Sequence, residues 1–359
     1  MLQRYATLLV DYCLDVREGE SVLINVGAAA ADLARLVHND VLARGAWPIM
    51  RLTYPGQVED YLMHAKDRQL DHASKAAQLE INAVDAWLRI ASDTNTRGAA
   101  SAPPERLARL GRAQAAITRT RLTKKWCGTL YPTPAYAQDA GMPTDEFETF
   151  VWRAMMLDTP DPKAAWLAMH AEQQALVDRL NRAKVIRIQA DGADLTLRVD
   201  GRLWQNSSGR RNMPSGEVFT SPLEDSANGV VRFTVPSSVS GRDVRDVTLN
   251  FTDGLVTEAH AEVGNDYLQA AINTDAGAKF LGEIGIGTNR NIQRPTRNIL
   301  FDEKISGTVH LALGNSYPET GGKNISGLHW DLILDMRAEA GGGQLSADGE
   351  PVSINGLFV

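Results

Sequence analysis

His329 and Asp331 stand one residue apart in NISGLHWDLILD. If LHWDLIL is a strand, alternation puts both on one face, with Leu328, Trp330 and Leu332 on the other. A His-x-Asp pair on one face is a compact two-ligand half-site for a metal ion. His310, in DEKISGTVHLALG, sits in a segment equally unsuited to simple packing. Glu217 in NMPSGEVFTSP and Glu283 in KFLGEIGIGTN are each flanked by glycine and apolar residues. An unpaired carboxylate buried there would be costly, and a divalent cation would remove the penalty. Oxygen and imidazole ligands without cysteine suit zinc, cobalt or manganese, and a bridging carboxylate would allow two ions in one hydrolytic site. Each residue alone has an ordinary alternative: His-x-Asp is common by chance, and a glutamate before an apolar run is usually salt-bridged or exposed. Their combination, in four glycine-bearing segments of the C-terminal half, favours the metal reading. His38, His64, His72, His170 and His260 lie on helical or polar strand patterns and read as surface or packing histidines.

The elements that must position these residues follow from periodicity. In the N-terminal half YATLLVDYCLDV reads as an amphipathic helix, SVLINV as a strand and AADLARLVHNDVLARGA as a helix ended by Gly45. WPIMRLTY, AVDAWLRIAS and KKWCGTLYP add strands, and PERLARLGRAQAAITRT adds a helix. Alternating β and α elements predict a mainly parallel sheet covered by helices, an α/β domain. The turn at Gly27 after SVLINV is a weak nucleotide-loop signal, since VGAAAADLA lacks the later glycines and no Walker lysine follows. Residues 144–183 are helical and connect the halves. Beyond Lys184, VIRIQA, DLTLRV, VVRFTV, DVTLNF and LVTEAHAE are short alternating strands, which predict an α+β domain rich in antiparallel strands. The expected division is an N-terminal α/β domain over 1–183 and a C-terminal catalytic, metal-binding domain over 184–359.

The 359 residues include 43% hydrophobic and 23% charged residues, the balance of a globular enzyme with a large core. A net charge of −7 offers no basic stripe for nucleic acid. Acidic residues interrupt the apolar positions of the N-terminus, which argues against a signal peptide, and no run is long enough to span a membrane. With two cysteines, Cys13 and Cys127, a disulfide framework or a thiolate zinc cluster is not expected. A cytoplasmic location is the expectation.

The chain resembles the aminopeptidase T family of thermophilic-type metalloaminopeptidases, which includes aminopeptidase S and PepS. The resemblance is carried, in order, by NMPSGEVFTSP, NGVVRFTVPSS, GAKFLGEIGIGTN, ILFDEKISGTVHLALGNSYPETGG and NISGLHWDLILDM, and more faintly by YATLLVDYCLDVREGESVLI and DTPDPKAAWLAMHAE. It implies a binuclear site with Glu217, Glu283, His310, His329 and Asp331 as ligands of two divalent ions, and Tyr317 as the catalytic tyrosine. Glu303 is an acidic neighbour open to a salt bridge with Lys304, an outer-shell hydrogen bond or a ligand role. The resemblance further implies removal of N-terminal residues from short peptides by water activated at the ions, Glu283 serving both as ligand and in catalysis, and assembly as a homodimer. Two other readings fit the residues: another metal-dependent hydrolase of small amides, and a non-catalytic small-ligand-binding protein whose C-terminal polar set is a salt-bridge network.

Overall fold

Val22, Ile24 and Val26 are almost completely buried, as are Leu88 and Ile90 on the neighbouring strand, while Leu23 and Trp87 pack on the opposite face with Ile81 and Val84. Burial on both faces is what parallel sheets require, and it explains why SVLINV and AWLRIA read as nearly continuous apolar runs. The computed structural model describes residues 1–239 and 241–359. They divide into two units, Met1–Trp166 with Gly209–Pro214 and Leu167–Ser208 with Ser215–Val359. The division falls inside the helix Pro162–Leu180.

In the first unit the strands lie in the order Trp47–Thr53, Ser21–Gly27, Ala86–Ala91, Lys125–Leu130 and Asn212–Met213, all parallel. The last of these comes from the returning segment Gly209–Pro214, which no periodicity in the sequence announces. Helix Ala31–Ala43 buries Leu33, Ala34, Val37 and Val41, at the i, i+4 spacing of an amphipathic stripe. The segment after Thr53 folds into three short helices, Gln57–His64, Asp67–Asp71 and Lys75–Ala83.

The second unit holds two antiparallel sheets. The larger has nine strands, running from Ser237–Val239 at one end to Leu357–Phe358 at the other. The smaller orders its strands as His329–Asp335, Thr308–Gly314, Leu281–Gly287, Glu217–Thr220 and Gln205–Ser207. One face of the smaller sheet contributes Val218, Ile284, Ile286, Val309, Leu311, Leu313, Trp330, Leu332 and Leu334 to a single core shared with Leu195, Leu197, Phe233 and Leu249 of the larger. Each such side chain stabilises the fold by about 1.5–3 kcal/mol. The α/β unit with a mainly parallel sheet and the strand-rich α+β unit are the fold class expected from the sequence.

Candidate metal centre

Because alternate residues on a strand point to opposite faces, burying the apolar set fixes where the remaining residues go. Glu217, Glu283, His310, His329 and Asp331 occupy the other face of the five-stranded sheet. Register then gives each a small neighbour: Glu217 pairs with Gly287, His310 with Gly285, Asp331 and Glu283 with Ala312, and His329 with Gly314. A Cβ at Gly285 would stand 2.0 Å from His310 Nε2, so the imidazole lies where any side chain would be. His329 and Asp331 share a face with Trp330 and Leu332 turned into the core, as the alternation predicted.

The side chains converge. Glu283 reaches two histidines, with Oε1 3.5 Å from His310 Nε2 and Oε2 3.3 Å from His329 Nε2. His310 Nε2 is also 3.4 Å from Glu217 Oε2, and His329 Nε2 is 3.7 Å from Asp331 Oδ2. Ligand atoms of Glu217, Glu283 and His310 lie within 4.8 Å of one another, as do those of Glu283, His329 and Asp331 and those of Glu303, His310 and Asp331. His310 is fully buried, yet neither ring nitrogen has a hydrogen-bond partner among the described residues. His329 donates from Nδ1 to the Asn315 carbonyl at 2.9 Å, which turns Nε2 toward the carboxylates. His329 remains 29% exposed at its side chain and opens the cluster to solvent.

Lys304 is the residue that sequence reasoning undervalued. It is fully buried, 2.8 Å from Glu217 Oε1 and in contact with Glu303, so the salt bridge weighed for Glu303 exists and extends to Glu217. Burial alone would strip its proton, but the two carboxylates hold its pKa above the ordinary value. The signal available was a lysine next to two acidic residues between the apolar ILF and Ile305. Tyr317 lies 3.2 Å from His329 Nε2 through its hydroxyl, its ring against Phe219 and His329 with centroids 5.2 Å apart in each case. Burial, then the nearby carboxylates, push its phenol well above the usual pKa, so it stays a proton donor.

The donor set fits divalent cations. Four carboxylates, Glu217, Glu283, Glu303 and Asp331, converge with two imidazoles in a mostly buried site, and both ring nitrogens of His310 have no hydrogen-bond partner among the described residues. Of the other histidines, His170 bonds to Ser208 and none joins a cluster of metal-competent groups among the described residues.

Comparison with known proteins gives the same class. A sequence model of the thermophilic metalloprotease (M29) family matches residues 1–358. Aminopeptidase 2 of Geobacillus stearothermophilus is 30% identical over 352 residues, 88% of this chain and 84% of that protein. Aminopeptidase T of Thermus aquaticus is 28% identical over 357 residues, 89% and 85% of the two chains. The solved structure of wild-type AmpT from Thermus thermophilus matches with a TM-score of 0.86 and 25% identity over 100% of this chain and 98% of that one. Fold and site thus define a metal-dependent peptidase. The chain belongs to the thermophilic metalloprotease (M29) family, and is one of its metalloaminopeptidases.

Proposed function

We propose that the protein removes N-terminal amino acids from short peptides at a centre for two divalent ions, zinc, cobalt or manganese, held by Glu217, Glu283, His310, His329 and Asp331. The observation that carries this reading is the position of Glu283, whose two oxygens face different histidines and which belongs to two separate ligand groups. Glu283 would serve both ions, with Glu217 and His310 completing the set for one and His329 and Asp331 the set for the other. When bound, such ions acidify water and polarise the carbonyl of the peptide bond.

The chain's own groups do the rest. Lys304 neutralises Glu217 and Glu303 and fixes the Glu217 carboxylate with one oxygen turned to His310. Glu303 serves as a positioning residue through that lysine. The Tyr317 hydroxyl, 3.2 Å from His329 Nε2 and kept protonated by burial and the nearby carboxylates, would donate to the oxygen that gains charge as the carbonyl is attacked. Assembly as a homodimer belongs to the same reading; the edge strand Trp47–Thr53 of the first unit leaves Trp47 and Leu52 exposed, apolar surface that a second copy would cover. No helix among the described residues is long and apolar enough to cross a membrane.

The test is release of free amino acid from leucyl peptides before chelation, after it, and after zinc, cobalt or manganese is returned. Activity should vanish with the chelator, return with metal, fail on N-acetylated peptides and persist on C-amidated ones. Turnover indifferent to chelation would overturn the reading.

A further inference from the structure

The first unit carries a cavity of about 930 Å³, lined only by its own residues. It opens where the strands Ser21–Gly27, Trp47–Thr53 and Ala86–Ala91 end. From the first of these strands the chain moves toward one edge of the sheet, and from the third toward the other. The carboxyl ends of those two neighbours therefore flank a topological switch point, the crevice in which open α/β sheets bind ligands. Its volume is that of a small-molecule site.

Asn25, Arg89, Ser92 and Gln114 are among the polar side chains that line this cavity. Ser92 is only 6% exposed, and its hydroxyl is buried with no partner, an unfavourable state unless something else satisfies it. Asn25 and Arg89 are register partners on adjacent strands and share a face. Arg89 forms no ion pair among the described residues. At Gly27 the first strand passes directly into the turn Ala28–Ala30 and the helix Ala31–Ala43, with no side chain capping the leading N–H groups. A Cβ at Gly27 would stand 2.3 Å from Ser92 Oγ, so glycine keeps the crevice open at that point. Two carboxylates also line the cavity: Asp93 accepts from the Tyr136 hydroxyl at 2.7 Å, and Glu59 lies against Gly98.

We propose that this cavity binds a small organic anion, a carboxylate or a phosphate ester, whose charged group is received by Arg89 and whose body bonds to Asn25, Ser92 and Gln114. Every lining residue belongs to the first unit, and none is a candidate ligand of the metal centre. The experiment is isothermal titration of the full, metal-supplemented protein with AMP and, separately, with glutarate. At least one probe should bind saturably; AMP alone identifies a phosphate site and glutarate alone a carboxylate site. Arg89→Gln should weaken that binding by about tenfold or more, through loss of a charge-assisted contact. Asn25→Asp, which places a like charge beside the anion, should weaken it independently, while Glu283→Gln should leave it unchanged. The proposal is overturned if neither probe saturates at millimolar concentration, if both cavity variants bind like the parent, or if Glu283→Gln abolishes binding and so places the anion at the metal centre.

Discussion

Tyr317 has two possible jobs, packing against Phe219 and donating a proton-bearing hydroxyl, and one atom separates them. Tyr317→Phe keeps the ring and removes the donor. Steady-state kinetics should show kcat reduced by about 10²–10³-fold with KM little changed, because the contact strengthens only in the transition state. An unchanged kcat would assign the residue to packing. Lys304 makes the complementary case, since its charge is entirely buried between Glu217 and Glu303. Lys304→Ala leaves two carboxylates without their counter-charge, so urea unfolding of the metal-free protein should show a loss of about 3–5 kcal/mol. A loss under about 1 kcal/mol would mean that the carboxylates take up protons instead.

At the scale of the element, the smaller sheet of the second unit is built two-sided, with bulky apolar residues on the core face and ligand-type residues opposite glycine or alanine on the other. Gly285 acts as a mould for His310, and Gly285→Ala places a methyl where His310 Nε2 lies. Overpacking of this kind costs about 1–3 kcal/mol, and the imidazole must turn to relieve it. Zinc titration of Gly285→Ala should therefore show affinity lowered by at least about tenfold. Unaltered zinc binding would take His310 out of the ligand set. The strand bulge between Leu281 and Glu283 serves the same end, since it brings Glu283 to Ala312 within an otherwise regular ladder.

For the whole molecule the cluster couples metal, protons and stability. In the metal-free chain burial would lower both imidazoles, but Glu283 and Glu217 hold His310 up at about 9, and Asp331 and Glu283 hold His329 at about 10. Stability from these raised values is fully present below the unfolded pKa of about 6.5 and is lost as pH rises through the folded ones. Glu303, raised to about 8 by burial, adds to the loss, because the unfolded chain gives up that proton more readily. Glu283 acts at the other end: burial raises it, the two histidines outweigh that and hold it at about 2, so its contribution fades only as pH falls toward that value. The Tm of chelator-treated protein should thus decline between pH 7 and pH 10, and added zinc, which needs the deprotonated ligands, should remove the decline. A flat Tm in the chelated protein would contradict this account. The sequence by itself determined a good deal here. Period-two alternation in LHWDLIL put His329 and Asp331 on one face, and alternating β and α patterns gave a parallel sheet followed by antiparallel strands, since periodicity depends only on neighbours along the chain. Only the tertiary structure decided that Glu283 stands between two histidines, that Lys304 is buried against Glu217, that Asn212–Met213 returns to the first sheet, and that the Gly27 turn opens on a cavity where the Ser92 hydroxyl has no partner among the described residues. Those facts rest on strand order and cross-strand register, which long-range burial fixes and which no local pattern encodes.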